Sequence, residues 1–184
     1  MLGKLATEVA TDRPDLLAAS VTAALAAWSG PVPLSEILVA PIDAELADTA
    51  AFCAAYDVGL DVSANCVVVS GKREGVTRYA ACMVLATTRA DVNTTVRRLL
   101  DVRKASFLPM AEAVELTGME YGGITPIGLP AQWPVFVDAA VAAMPGVVIG
   151  SGIRASKIVL PGTALAGLPG AQVVDGLGLV VPKG

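Results

Sequence analysis

The chain has 184 residues, a net charge of −4, an apolar fraction of 54%, three cysteines and no histidine, and a chain of this length ordinarily forms one domain with a substantial core. The lack of histidine excludes Ser-His-Asp triads, His-ligated metals and imidazole acid–base catalysis. The acidic balance argues against a protein that coats DNA or RNA, because such binding rests on many phosphate contacts.

Turn signals and apolar runs predict one mixed α/β domain over residues 1–184. Pro14 suits the first turn of a helix that Gly30-Pro31 ends, and Thr88 is placed to cap another. Strands that neighbour in sequence favour mostly antiparallel pairing, with a hairpin turn at Gly71–Gly75. The predicted helices are Asp15–Trp28, Asp43–Tyr56, Thr88–Leu100, Pro109–Leu116 and Pro161–Leu168, and the predicted strands are Glu36–Ala40, Asn65–Ser70, Arg78–Ala86, Val135–Asp138, Val147–Gly150, Lys157–Leu160 and Ala171–Val174.

The three cysteines, Cys53, Cys66 and Cys82, are odd in number and far apart, with no Cys-x-x-Cys pair. We interpret them as small buried apolar residues, and we predict neither a metal nor another cofactor. No run approaches the roughly 18–20 apolar residues of a membrane span, and the N-terminus lacks the pattern of a signal peptide. We therefore expect a cytoplasmic protein with no membrane partner.

Positive charge concentrates in residues 72–104, which carry eight cations against three acids, whereas residues 1–61 carry two cations against nine acids. The local surplus is a candidate landing surface for a polyanion, and a solvated helix face with a hairpin turn explains it equally well. A patch that holds one structured RNA end is compatible with the acidic total. Both interpretations stay open, and we predict no DNA partner.

Residues 117–128, TGMEYGGITPIG, contain four glycines and one proline between a predicted helix and a predicted strand. Such a loop either makes an awkward corner or brings bare backbone N–H groups against a ligand. In the second case Gly122, Gly123 and Ile124 present the donors, Thr125 adds a hydroxyl, and Pro126 stiffens the loop.

The run TGMEYGGITPIGLP, followed by VFVDAAV and then by VVIGSGIRASKIVL, resembles the YbaK/aminoacyl-tRNA deacylase domain family, which also supplies the editing domain associated with prolyl-tRNA synthetases. The resemblance covers about residues 50–174, and residues 1–35 form a less diagnostic helical segment. It implies a mostly antiparallel sheet closed into a partial barrel with surrounding helices. It also implies hydrolysis of a mischarged aminoacyl-tRNA without a cofactor.

The resemblance assigns roles to individual residues. It makes the backbone at Gly122, Gly123 and Ile124 the catalytic donor set, since ester hydrolysis develops negative charge on the carbonyl oxygen. The predicted substrate contacts are Thr125, Pro126, Asp138, Gly150, Gly152 and Arg154, and the predicted contacts with tRNA phosphate are Lys104 and Lys157, with Arg154 as an alternative. A helix cap is the competing interpretation of Asp138. An exposed hairpin is the competing interpretation of the 150–157 segment.

One position departs from the family pattern, because family members place a pocket lysine near the start of the strand that here contains Asn65. Three interpretations follow. Asn65 still positions the terminal ribose or a water, a lysine from elsewhere such as Lys72 reaches in, or the domain binds without hydrolysing. The implied partners are the aminoacylated 3′ end of a tRNA of the tRNA-Pro type and a prolyl-tRNA synthetase. The oligomeric state, monomer or homodimer, stays open.

Overall fold

The computed structural model describes residues 3–180, which form a mixed α/β fold, as predicted. The strands are β1 (Glu8–Val9), β2 (Leu38–Pro41), β3 (Ala64–Arg73), β4 (Val76–Leu85), β5 (Thr88–Ala90), β6 (Ala105–Phe107), β7 (Val135–Asp138), β8 (Val147–Gly150), β9 (Ser156–Leu160), β10 (Ala171–Val174) and β11 (Gly178–Val180). The α-helices are α1 (Ala19–Ala26), α2 (Thr49–Tyr56), α3 (Arg97–Leu99), α4 (Met110–Thr117), α5 (Ala139–Ala142) and α6 (Gly162–Ala166).

The described strands form three sheets with the orders β1-β2-β9-β8, β10-β7-β4-β3-β6 and β11-β5. The pairs β10–β7 and β7–β4 are parallel, and the other ladders are antiparallel. A single parallel bridge between Ser63 and Val148 links the two larger sheets. Within residues 3–180 the sheets do not close into a barrel, so the expected partial barrel is not confirmed.

The predicted hairpin is present and is longer than expected, because β3 and β4 pair in register from Ala64 opposite Leu85 to Arg73 opposite Val76. Its turn is therefore Glu74-Gly75, and both residues have positive φ, 53° and 80°. Two consecutive residues in the left-handed backbone conformation form a two-residue hairpin turn, and the twist of such a turn matches the twist of the paired strands. Lys72 lies on this exposed end of the hairpin.

Two predicted helices begin later than expected. Pro14–Leu16 forms a separate 3-10 turn, and α1 starts only at Ala19. The segment from residue 43 to 56 is divided into a 3-10 turn and α2, because each part has its own aspartate cap. Asp43 accepts the N–H of Glu45, and Asp48 accepts the N–H of Ala50. An N-terminal aspartate satisfies an otherwise orphaned amide, so each cap starts a new helical turn.

The helix predicted at Thr88–Leu100 is wrong in its first part. Thr88–Ala90 is a strand that pairs with β11, and Thr88 donates its hydroxyl to the carbonyl of Leu85 instead of capping a helix. Asp91 is the cap of the π-helical turn that follows at Val92–Val96, since its carboxylate accepts the N–H groups of Thr94 and Thr95.

The core lies on both faces of the five-stranded sheet, because successive β4 residues point to opposite sides. Ala81 and Met83 face a large cluster formed with the four-stranded sheet, α1, α5 and α6. Cys82 and Val84 face a second cluster under the segment that ends in α3. Every helix of residues 3–180 is too short or too polar to cross a bilayer.

Candidate functional site

A cavity of about 260 Å³ opens between the two larger sheets, where β3, β8 and β9 face the glycine loop of residues 118–128 and the N-terminus of α2. Five residues selected from the sequence line it: Asn65, Gly122, Ile124, Gly150 and Lys157. The remaining lining residues are Ala47, Asp48, Thr49, Phe52, Ser63, Ala64, Cys66, Val67, Val68, Phe107, Leu108, Ala113, Tyr121, Val148 and Ile149.

The glycine loop packs backbone to backbone against the turn after β8. Gly123 donates its N–H to Glu120 at 2.9 Å, and its carbonyl accepts the N–H of Gly152 at 2.7 Å. A Cβ on Gly123 would lie 2.4 Å from the carbonyl oxygen of Ile153, and one on Gly150 would lie 2.3 Å from the carbonyl oxygen of Gly123. These glycines allow a close corner. The N–H of Gly123 is consequently not available as an oxyanion donor, which corrects that part of the prediction.

Among the other amides of this loop, those of the two remaining predicted donors are free. The N–H groups of Gly122 and Ile124 have no acceptor among residues 3–180, and both residues line the cavity. Gly122 has φ of +90°, a conformation that side-chain-bearing residues rarely adopt. Gly123 and Gly150 therefore form a close corner, and donation to a ligand by the N–H groups of Gly122 and Ile124 stays a prediction.

Asn65 lies at the cavity surface near the start of β3. Its Oδ1 accepts a hydrogen bond from the Thr49 hydroxyl at 2.8 Å. The Nδ2 group has no acceptor among the described residues, and an amide nitrogen carries two donor hydrogens. Asn65 thus presents a held hydrogen-bond donor to the cavity, consistent with the first of the three interpretations of this position.

Lys157 supplies the cavity with an ammonium group from β9. The residue is only 7% exposed, and its Nζ lies 3.0 Å from the carbonyl oxygen of Ala47, 3.5 Å from that of Gly122 and 5.3 Å from the centre of the Phe52 ring. Burial lowers the pKa of Lys157, because it disfavours the charged form. An exposed hairpin, the alternative considered from the sequence, does not describe this residue, and its contact with RNA phosphate stays a prediction.

Arg154 lies outside the cavity lining and fastens the two loops that frame the opening. Its guanidinium donates to the carbonyl of Ala44 at 2.9 Å and to that of Tyr121 at 3.3 Å, while its own N–H donates to the Glu120 carboxylate at 2.6 Å. Arg154 and Lys157 therefore both connect the segment before α2 to the glycine loop, through carbonyl oxygens.

Several predicted substrate contacts lie elsewhere. Asp138 is buried away from the cavity, with Oδ1 accepting the N–H of Ala140 at 2.8 Å and Oδ2 that of Gly178 at 2.6 Å. The helix-cap interpretation describes these contacts, and a substrate role for Asp138 has no support in them. The other predicted contacts that do not line the cavity are Gly152 and the buried Thr125 and Pro126.

The cations of residues 72–104 do not form one patch. Arg73 and Arg78 both pair with Asp101, and Arg78 also donates to backbone carbonyls of this turn. Lys104, a predicted tRNA contact, is exposed and lies outside the cavity, where it lines a neighbouring groove with Arg89. Part of the charge surplus is thus neutralised locally, and another part is free to meet a ligand.

Cys53 and Cys82 are buried, as predicted, whereas Cys66 is partly exposed at the cavity wall. Burial raises the pKa of the Cys66 thiol, with a smaller contribution from Cys82, and burial raises the pKa of Cys82 to about 12. Since the thiolate is the nucleophilic form, the Cys66 thiol at the cavity wall is protonated at neutral pH and unsuited to nucleophilic attack. Residues 3–180 hold no cluster of three acidic, cysteine or histidine residues that could bind a metal.

Sequence reasoning missed Asp48, Thr49, Phe107 and Tyr121 as cavity residues. Asp48 and Thr49 had a recognisable signal, since an aspartate before an alanine-rich helix marks a cap and places the next residue at the helix N-terminus. Phe107 lies on β6, which is three residues long and was not predicted. Tyr121 is part of the glycine loop, for which backbone N–H groups were the main predicted contacts.

Comparison with known proteins decides the family. Residues 43–168 match the aminoacyl-tRNA editing domain. The chain belongs to this family. The recognition made from the glycine loop is therefore confirmed, with a match that starts slightly earlier and ends slightly earlier than residues 50–174. The comparison with curated proteins found no match.

Two solved structures show the same fold as this editing domain. One is a candidate trans-editing enzyme for prolyl tRNA synthetase, 23% identical, with a TM-score of 0.70, covering 86% of this chain and 94% of that one. The other is a scaffold protein for computational epitope backbone grafting, 21% identical, with a TM-score of 0.71, covering 86% of this chain and 95% of that one.

Proposed function

We propose that this editing domain is a trans-acting deacylase that hydrolyses the ester of a mischarged tRNA of the tRNA-Pro type carrying a small amino acid. One observation carries the proposal. Lys157, with its buried ammonium, lines the same small cavity as Gly122 and Ile124, and the N–H groups of these two residues have no acceptor among residues 3–180. Such a set of fixed donors stabilises negative charge that develops on an ester oxygen.

The chemistry needs no cofactor. Water attacks the ester carbonyl carbon, the carbonyl oxygen takes up the negative charge, and collapse of the intermediate breaks the bond to the ribose oxygen, which leaves as a hydroxyl with the proton released by the water. Lys157 and the free amides would stabilise the charged intermediate, at about 2.7–4 kcal/mol for a single donor of this kind. Asn65 Nδ2, held by the contact with Thr49, would orient the water or the terminal ribose.

Asp48 gives the cavity a feature that fits an amino acid ester. Asp48 is the one acidic residue among the cavity-lining residues within 3–180, and one of its carboxylate oxygens caps α2. The other oxygen is left to accept from the α-ammonium group of the substrate, while Lys157 serves the ester oxygen. The cavity volume of about 260 Å³, below the roughly 300–1,000 Å³ of pockets for drug-sized ligands, supports a small amino acid.

The test is deacylation of a panel of charged tRNAs, with Ala, Cys, Ser and Pro on tRNA-Pro and their cognate tRNAs. Native protein is compared with Lys157→Met and with Lys72→Met, the matched control on the exposed hairpin. We expect turnover of one or more small mischarged amino acids, a loss of about 100- to 1,000-fold in Lys157→Met and no change in Lys72→Met. Equal turnover by native protein and Lys157→Met would refute the assigned role of Lys157.

Binding without hydrolysis is the second candidate, and the absence of a histidine together with Asn65 at the family lysine position favours it. A chain of this kind would hold the charged end and leave the ester intact. Native protein that protects a charged tRNA from spontaneous hydrolysis would support this candidate against the deacylase. Turnover gained by Asn65→Lys, from an inactive native protein, would support it as well.

A further inference from the structure

A second cavity lies between α1, the end of the glycine loop and the turn after α6. Its volume is about 310 Å³, and none of its lining residues within 3–180 lines the first cavity. We call it the tryptophan pocket and define it by Ala24, Ala27, Trp28, Pro126, Leu129 and Trp133. Its α1 wall precedes residues 43–168, so a segment outside the matched editing domain completes the pocket.

The two indole rings of the tryptophan pocket are held in place. The Trp28 indole N–H donates to the carbonyl of Val32 at 2.9 Å. The Trp133 ring stacks on Tyr79, with ring centres 5.1 Å apart and an angle of 19° between the planes, and Trp133 is only 4% exposed. Because each ring has a partner that fixes it, the pocket is preformed and a ligand does not have to order its walls.

The chemistry of the lining selects the class of ligand. Within residues 3–180 no charged side chain lines the tryptophan pocket, and the exposed Ser29 supplies its one hydroxyl. A charged ligand would lose hydration there without gaining an ion pair, so the pocket favours a neutral molecule. Two indole rings favour a flat aromatic molecule, since aromatic rings pack in stacked or edge-to-face pairs. The volume of about 310 Å³ lies at the lower end of the range for small-molecule sites.

The tryptophan pocket also touches the loop that lines the first cavity. Pro126 in the pocket wall is two residues from Ile124 in the wall of the first cavity. The loop packs against α1 at Gly128, where φ is +83° and a Cβ would lie 2.5 Å from the carbonyl oxygen of Ser20. A molecule that fills the pocket therefore contacts the glycine loop close to a predicted oxyanion donor.

We propose that the tryptophan pocket is a second ligand site, which binds a small neutral aromatic molecule between Trp28 and Trp133 and thereby restrains the glycine loop. A bound ring fixes the wall at Pro126 and Leu129, and through it the backbone at Ile124. The inference goes beyond the deacylase, because the site needs neither RNA nor turnover to be occupied.

The test is a titration of the ¹⁵N-labelled full chain with 2-naphthol, which is uncharged at neutral pH, followed by ¹H–¹⁵N correlation spectra. The chain has two tryptophans and both line the pocket, so the two indole N–H signals report on it, and Trp28→Phe assigns them by removing one. We expect both indole signals and the Ile124 amide signal to shift with one saturation curve. The anion 2-naphthoate, a carboxylate on the same ring system, should bind about tenfold more weakly.

Substitutions in the pocket wall locate the binding. Ala27 and Ala131 are exposed residues of two different walls, and leucine at either position takes up space that a ligand needs. Ala27→Leu and Ala131→Leu should each weaken the binding of 2-naphthol by about tenfold. Ala26→Leu is the matched control, since Ala26 is the exposed neighbour of Ala27 and does not line the pocket. This variant should bind 2-naphthol with native affinity.

Four results would count against the proposal. Indole signals that do not shift, or equal binding of 2-naphthol and 2-naphthoate, would overturn it. Native affinity in both Ala27→Leu and Ala131→Leu, or an equal loss in Ala26→Leu, would overturn the location. Indole signals that move with protein concentration in the absence of ligand would assign the pocket to a second copy of this chain instead. Shifted indole signals with an unmoved Ile124 signal would overturn the restraint on the glycine loop.

Discussion

The Thr49 hydroxyl donates to Asn65 Oδ1 over 2.8 Å and joins the N-terminus of α2 to the start of β3 at the cavity wall. This contact fixes which end of the Asn65 amide faces Thr49 and leaves Nδ2 for a ligand. The position at which the resemblance predicts a lysine is thus occupied by a neutral donor with a defined orientation, and an ammonium group enters the cavity from β9.

Thr49→Val should reduce deacylation because it removes the group that orients Asn65. The loss of one neutral hydrogen bond is worth about 1 kcal/mol, or roughly a fivefold reduction in kcat/KM. Thr49→Ser keeps a hydroxyl and should retain most of the activity. Steady-state kinetics of both variants checks this, and native kinetics in Thr49→Val would show that the orientation of Asn65 is irrelevant.

Lys157 should make the stability of the protein depend on alkaline pH. Burial lowers its pKa below the ordinary 10.5, so between the lowered value and 10.5 the unfolded chain binds more protons than the folded chain. The free energy of unfolding therefore rises with pH across this window. The contribution is complete above 10.5 and is lost as the pH falls through the folded pKa.

Lys157→Met removes this titration. We expect the Tm of the native protein to rise relative to that of Lys157→Met as the pH increases from neutral towards 10.5. Circular dichroism melts over that range measure the difference, with Lys72→Met as the control that should run parallel to the native curve. A Tm difference between native protein and Lys157→Met that does not vary with pH would contradict the burial of this ammonium.

Cys66 should be dispensable for catalysis even though it lines the cavity. Burial raises the pKa of its thiol, so the thiolate is scarce at neutral pH. Cys66→Ala should keep most of the deacylase activity, and an alkylating reagent should inactivate the native protein slowly. Rapid inactivation that Cys66→Ala abolishes, together with loss of turnover in that variant, would identify a covalent mechanism.

Gly150→Ala should disturb the glycine loop directly. The added Cβ would lie 2.3 Å from the carbonyl oxygen of Gly123 and 2.6 Å from that of Ile124, and neither backbone atom can move alone. We expect a loss of about 1–3 kcal/mol in the free energy of unfolding, together with reduced turnover. Gly59→Ala is the control, because its Cβ would meet the end of the Asp61 side chain. Equal denaturation midpoints for both variants would refute the tight corner.

The hairpin and the strands β7, β8 and β9 were predicted to within a few residues at most, since alternation, apolar runs and turn residues define them locally. The strand at Thr88–Ala90 could not be found in this way. It exists because β11, which follows it by almost ninety residues, pairs with it. The three-residue strand β6 depends in the same way on the edge of β3.

The candidate site was only partly predicted, and the reason is similar. The family motif located Gly122 and Gly150, whose backbone geometry is encoded by glycine itself. Lys157 was predicted to contact tRNA phosphate, with an exposed hairpin as the alternative, because a lysine in a sequence gives no sign that carbonyl groups and an aromatic ring will surround it. Phe107 reaches the cavity only through the pairing of β6 with β3.

Two cations stabilise the rim of the cavity by donating to backbone carbonyl groups. Arg154 donates to Ala44 and Tyr121, and Lys157 donates to Ala47. Carbonyl oxygens do not titrate, and electrolyte screens contacts of buried and half-buried groups such as Lys157 and Arg154 far less than it screens an exposed ion pair. The opening of the cavity should therefore keep its shape at ionic strengths high enough to dissociate RNA from the protein surface. Salt would act on the residence time of the RNA and leave the hydrolysis of a short ester unaltered.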